Sequence, residues 1–343
     1  MKKSAIVCIL CFGTALICAC QAGTPAPAET YATVAERPVM EIALDSPVAA
    51  AKAEVSAMAW CGDTLILVPQ YPARFQNEGQ ASVFAIPKAA LEAYVGGSST
   101  DAIEPAMIPF DDGGLKDEIN GFEGFESVTF VGDDVYMTIE SHDGNEMVGY
   151  LVKGSVTGDC EGIILDPDSA AAIEPQADLS NMTDETIVIY NDQIYTIYEA
   201  NGVNVNLDPV AHVFSLDLEP LEAIPFPSIE YRVTDATVPD ADGIFWAINY
   251  FYPGDTKLKP GTDEIAVEYG LGGTHQELDQ VERLIALQIT DEGITFAGLA
   301  PIYLMLDTSY DDSRNWEGLV RFGEGFLLVT DEHPTTILGY VGR

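Results

Sequence analysis

The sequence predicts an all-β protein made of five repeated four-stranded units, and three observations lead there. Five short segments align on a turn, each carrying one polar residue and a second fourteen places later. The pairs are Ser56 and Gln70, Glu126 and Glu140, Glu185 and Glu199, Asp235 and Asn249, and Glu317 and Asp331. Between the members of each pair run an apolar stretch, a tight turn and a second apolar stretch, as in ESVTFVGDDVYMTIE and ETIVIYNDQIYTIYE. Runs rich in Val, Ile, Thr, Tyr and Phe between Gly, Asp and Asn turns read as strands. Clusters of strong helix formers are scarce, and 87–95 (PKAALEAYV) is the best short-helix candidate. Four-stranded sheets repeated around an axis are the blades of a β-propeller.

The elements follow in order. In the second repeat the strands are expected at about 126–131, 134–140, 147–153 and 162–165. The last repeat stops after its third strand, 337–341, and a strand-like segment, 38–44, precedes the first repeat. If that segment completes the last blade, both termini seal the ring and the propeller has five blades. Six is the alternative, and it requires 250–282 to fold as strands. The composition of that segment reads as an insertion loop.

The N-terminus carries Met1, Lys2, Lys3 and then an apolar run from Ala5 to Ala19, the layout of a secretory signal. Ile17, Cys18, Ala19 and Cys20 look like a bacterial lipobox with Cys20 as the lipidated residue; a plain signal cut near Ala22 is the alternative. The expected organisation is a signal over 1–19, a lipidated Pro/Ala/Thr-rich tether over 20–32 and a propeller domain over 33–343. Gln21 after Cys20 points, by likeness to Gram-negative lipoproteins, to the outer membrane, with the side undetermined. The membrane is expected to be met only through the lipid, and the protein to be a monomer. Cys61 and Cys160 remain as a pair in an oxidising compartment, where they form either a disulfide or two buried thiols. The formal charge of −40 argues against nucleic acid and anionic membrane surfaces as partners.

Each repeat starts an innermost strand with its first polar residue and ends the returning strand with its second. Both therefore sit at one end of the blade, here called the top. Ser56, Glu126, Glu185, Asp235 and Glu317 should then line one tunnel. Four converging carboxylates without a cation must repel or take up protons, and a calcium ion bound to this ring resolves the conflict. The second-position residues are either outer partners of the metal or ordinary strand ends. Arg74, Arg232 and Arg314 fall in top loops, and their forks suit phosphate or carboxylate oxygens. Each could equally balance a local acid. His142 and His333 lie two residues after a second-position acid and are candidates for proton transfer at the rim.

The segments 54–60 (EVSAMAW), 125–128 (FESV), 184–187 (DETI), 234–237 (TDAT) and 316–319 (WEGL) resemble the inner strands of calcium-activated apyrases. That resemblance implies a five-bladed propeller with a central calcium, hydrolysing nucleoside di- and triphosphates. It implies a ring in the order Ser, Glu, Glu, Ser, Glu, which here becomes Ser56, Glu126, Glu185, Asp235 and Glu317, with Asp at the fourth place. The segments 315–319 and 327–332 also resemble the bacterial phytase-like esterase families. The expected function is calcium-dependent hydrolysis of a phosphate ester or anhydride, on a small anionic or ester substrate. Arg74, Arg232 and Arg314 would hold the anion, and Glu140, Asp331, His142 or His333 would activate water. The alternatives are a metal-dependent esterase or lactonase, and a non-catalytic surface binding lipoprotein with a structural calcium.

Overall fold

The computed structural model describes residues 31–343 except 46, 51, 145, 310–312 and 332–334. The expected signal, Cys20, most of the tether and His333 lie outside the described residues. No helix among the described residues is long and apolar enough to cross a membrane.

Five sheet units surround one axis. The first runs outward through Val55–Cys61, Thr64–Pro69, Gln80–Pro87 and Ala106–Asp111. The second runs through Phe122–Val131, Asp134–Asp143, Glu146–Thr157 and Gly162–Leu165. The third comprises Asp184–Tyr190, Gln193–Tyr198, Val210–Ser215 and Ile224–Pro225. The fifth comprises Trp316–Phe322, Gly325–Thr330, Leu338–Gly342 and Met40–Ile42. The predicted seal is therefore present: Met40–Ile42 pairs antiparallel with the last strand, Tyr340 opposite Met40.

The fourth unit departs from the pattern. Its regular strands are Ile244–Phe251, Val281–Thr290 and Ile302–Leu304. Glu36–Arg37 adds a parallel outer strand, so the N-terminal segment closes two blades rather than one. Residues 232–237 occupy the innermost position with only isolated bridges, Arg232 to Tyr250 and Ala236 to Ala247. Pro239 lacks an N–H for a ladder; Thr237 N donates to Trp246 O at 2.8 Å, but the return bond from Trp246 N goes to the Thr237 hydroxyl, at 3.0 Å, rather than to its carbonyl. The segment 250–282 holds a short helix, Glu264–Tyr269, and two 3-10 turns, and no sixth blade. Its tip is tied to the N-terminal segment: Glu36 Oε1 accepts from Thr274 N at 3.0 Å and contacts His275 Nδ1 at 2.8 Å.

The core follows from the architecture. Each inner face is apolar, and each pair of neighbouring blades buries its own cluster. Val68 and Phe110 meet Phe125 and Met137 between the first two blades. Tyr136 and Leu151 meet Ile194 and Phe214 between the second and third. Tyr195 and Val213 meet Phe245 and Leu287 between the third and fourth, and Trp246 and Leu284 meet Trp316 and Phe326 between the fourth and fifth. Leu67 and Phe84 meet Leu327 and Val329 to close the circle. Burying a side chain of this size contributes about 1.5–3 kcal/mol, so the ring is held by five apolar seams rather than one centre.

Cys61 and Cys160 form a disulfide, Cα–Cα 6.0 Å, that joins the first two blades. The same two blades also share an edge, where Ile163 pairs in parallel with Phe110.

Candidate functional site

The top of the tunnel collects acids from the inner and second strands of several blades. The first-position residues Glu126, Glu185 and Glu317 are all buried, at 7, 7 and 9 % exposure. The second-position residues Glu140 and Glu199 are buried still deeper, at 2 and 0 %. In the first, third and fifth blades the inner strand begins and the second strand ends at this level, whereas in the second blade both strands run past it. Glu126, Glu185 and Glu317 each sit at a register shift between the two strands.

These groups act on one another. Glu185 is pushed far above the carboxylate range by burial, then by Glu199, Glu317 and Glu126. Glu126 is pushed up by burial and by Glu140, against a hydrogen bond of 2.8 Å from Gln70 Nε2. Glu317 rises through burial, Glu199 and Asp331. Glu140 reaches about 8 through burial and Glu199, opposed by a hydrogen bond from Thr183 Oγ1. Glu199 is raised by burial despite its ion pair of 2.5 Å with Arg232. The charge on Glu199 is the largest of those that raise Glu185. Neighbouring buried carboxyl groups oppose each other's ionisation.

Backbone geometry makes room for the cluster. Gly124, at φ +150°, lies under Gln70: a Cβ there would stand 2.1 Å from Gln70 Cγ. Any other side chain would displace the amide that holds Glu126. Gly318 plays a similar part between the fifth and first blades, where a Cβ would meet Met58 Cβ at 2.8 Å.

Two members of the predicted ring are elsewhere engaged. Ser56 Oγ donates to Phe125 O and stitches the first two blades. Asp235 is buried, but its Oδ2 accepts from Leu319 N at 2.7 Å and so turns towards the fifth blade; burial raises its pKa. The acids that influence the cluster are instead Glu199, Glu140 and Asp331, which the fourteen-residue spacing marked as second positions. Asn249 is a clamp: its amide donates to Glu230 O and Arg232 O, and its carbonyl accepts from Arg283.

The three arginines do not form an anion site. Arg74 pairs with Glu54 and lies 4.1 Å over the Tyr71 ring. Arg232 spans Glu199 and Asp255 at 2.5 and 2.8 Å. Arg314 is buried against Glu282, 2.8 Å away, and Met305 O. Each guanidinium is already paired with a carboxylate, in a protein of formal charge −40. His142 is half-exposed and faces Glu123 at 3.8 Å rather than the cluster.

The donor set suits a hard cation. Every group is an oxygen, and Glu185 Oε2 and Glu199 Oε2 are buried with no hydrogen-bond partner. As the side chains stand, no three His, Cys, Asp or Glu residues surround one point at ligand spacing among the described residues.

No protein-family model matches the chain, and no curated protein matches it. Solved structures match at low identity. A β-1,2-mannobiose phosphorylase from Listeria innocua matches with 15 % identity and a TM-score of 0.46, over 89 % of this chain and 90 % of that one. An exo-β-1,3-galactanase from Phanerochaete chrysosporium matches with 9 % identity and a TM-score of 0.48, over 88 % and 64 %. An α-L-arabinanase from Cellvibrio cellulosa matches with 10 % identity and a TM-score of 0.44, over 85 % and 91 %. Those proteins act on sugars, and at these values the likeness carries no conclusion about activity here. The expected kinship with apyrases and phytase-like esterases is not found: no family model supports it, and these matches are to sugar-acting enzymes. The expected phosphate or ester hydrolysis falls with it, since the arginines meant to hold the anion are occupied and dispersed.

Proposed function

We propose that the upper tunnel is a binding site for a divalent cation, with calcium as the candidate, held by Glu126, Glu185, Glu199 and Glu317. The observation that carries this reading is the pair of partnerless buried oxygens on Glu185 and Glu199 inside a cluster of five acids with one guanidinium. Calcium takes six to eight oxygen ligands and tolerates irregular geometry. It would supply the positive charge that lets the cluster ionise at neutral pH. Glu140 and Gln70 orient the inner acids, and Arg232 holds Glu199 in place.

The test uses the sign of the proton linkage. A carboxyl raised in the folded state stabilises the fold most below its unfolded value, 4.5, and that stabilisation is lost as pH rises through the folded value. For Glu140, with a folded value of about 8, the loss by pH 7 is about 3 kcal/mol. Chelator-treated protein should therefore melt at progressively lower temperature between pH 4.5 and pH 8. Calcium should restore the midpoint at pH 8 and leave it unchanged at pH 4.5. A midpoint that ignores calcium at pH 8 contradicts the reading.

A second reading rests on the carboxyl pair itself. A neutral Glu140 near Glu199, whose charge Arg232 favours, is the division of labour that a general acid and its partner need to cleave a glycosidic bond. It predicts turnover of neutral oligosaccharides without added calcium, reduced at least about a hundredfold in Glu140→Gln. Absence of turnover across α- and β-linked substrates would remove it.

A further inference from the structure

Arg232 stands between the acid cluster and the insertion, and it divides its fork between them. Its Nη1 donates to Glu199 Oε1 at 2.5 Å, and its Nε donates to Asp255 Oδ2 at 2.8 Å. Glu199 Oε2 is left buried and without a partner. A guanidinium beside a buried carboxylate commonly grips both of its oxygens, as Arg283 grips Asp263 in the fourth blade. Arg232 does not grip Glu199 in that way, and the contact that draws it aside is Asp255.

The backbone on both sides of this contact is fixed. Arg232 N donates to Tyr250 O at 2.9 Å, and Tyr250 N donates to Arg232 O at 3.1 Å. Asp255 lies in a turn of the insertion, where Leu258 N donates to Asp255 O at 2.8 Å. Leu258 is itself buried in one cluster with Tyr198 and Tyr231. The Asp255 side chain makes no cap bond to its own turn, so its carboxylate is directed to Arg232. The charge of Arg232 favours ionisation of Glu140, Glu199 and Glu317. Where the guanidinium points therefore matters to the whole cluster.

We propose that Asp255 is a positioning residue for the cation site: by holding Arg232 Nε it keeps the guanidinium on one oxygen of Glu199 and leaves the other open to the ion. This inference rests on the cation reading above. Without Asp255 the guanidinium turns onto both oxygens of Glu199, and a cation must displace it. The insertion, through Asp255, is then the element that sets the affinity of the site.

Calorimetric titration of calcium into chelator-treated protein at pH 8 tests this. Asp255→Asn keeps the size of the side chain and should weaken binding at least about tenfold, the ratio expected when one charge-assisted hydrogen bond is transferred to Glu199. In an Arg232→Gln background the same substitution should leave the affinity unchanged. Glu123 faces His142 and acts on Glu140, so Glu123→Gln removes a nearby acid by itself and should weaken binding by less than about threefold. If Arg232→Gln does not fold, the comparison with Glu123→Gln decides alone. Wild-type affinity in Asp255→Asn overturns the proposal and leaves the cation site standing. So does an equal loss in the Arg232→Gln background or in Glu123→Gln, because Asp255 would then act only through its own charge. Absence of calcium binding to the wild-type protein removes the site itself, and the proposal with it.

Discussion

Arg283→Met is expected to lower the unfolding free energy by about 3–5 kcal/mol, the cost of leaving a buried charge without its partner. Arg283 has no solvent exposure. Its fork holds both oxygens of Asp263, at 2.7 and 3.0 Å, and its Nε donates to Asn249 at 2.8 Å. Asp263 in turn caps Glu264–Tyr269, accepting from Ile265 N and Ala266 N. One guanidinium thus joins the fourth blade to the insertion and to the second-position residue of that blade. Denaturant unfolding measures the loss. The double variant Arg283→Met with Asp263→Asn should recover part of it, because the cap survives and the orphaned charge does not. A double variant worse than the sum of the two singles contradicts this account.

Loss of the Cys61–Cys160 bridge should cost up to about 4–5 kcal/mol in the chain-entropy model, since it closes a long loop. The two cysteines are 99 residues apart in sequence. The protein with both cysteines replaced by alanine should still fold, because the Phe110–Ile163 pairing and the Val68–Phe125 seam join the same two blades. A matched unfolding curve for the oxidised and doubly substituted proteins gives the difference. Equal midpoints would show that the bridge adds nothing to those seams.

The repeat was legible because each blade brings one polar residue of its first strand and one of its second to the same level across a tight turn, and that fixes the fourteen-residue spacing. The second blade has its four strands where they are expected, but its inner two, Phe122–Val131 and Asp134–Asp143, run past Glu126 and Glu140, and its third, Glu146–Thr157, extends beyond 153; Gly162–Leu165 matches. The short helix was found at Lys88–Val95 for the same reason that it was predicted, a run of strong helix formers after a proline. The closing strand was legible because the last blade lacked one.

Side-chain direction was not legible. Asp235 matches its repeat position, yet a backbone donor on Leu319, 84 residues away, claims its oxygen. Arg232 bridges Tyr250 at the start of the innermost segment of the fourth blade and Arg314 lies just before the fifth, and Glu199, Asp255 and Glu282 reach them from other segments. Such partners are set by how blades pack, and spacing along one blade contains no record of them. Glu199 is the reverse case. Its position was marked by the repeat, and only the structure shows that it faces Glu185 rather than the outside. The role of Glu36–Arg37 in the fourth blade had no signal either, because a two-residue parallel strand has no periodicity to detect.

The central claim is that the acids of Glu126, Glu185, Glu199 and Glu317 form a cation site. It is tested most directly by calorimetric titration of calcium into chelator-treated protein at pH 8, beside Glu185→Gln. The account predicts one saturable site in the wild-type protein and its loss in the variant. No saturable heat, or a site of equal strength in Glu185→Gln, would contradict it.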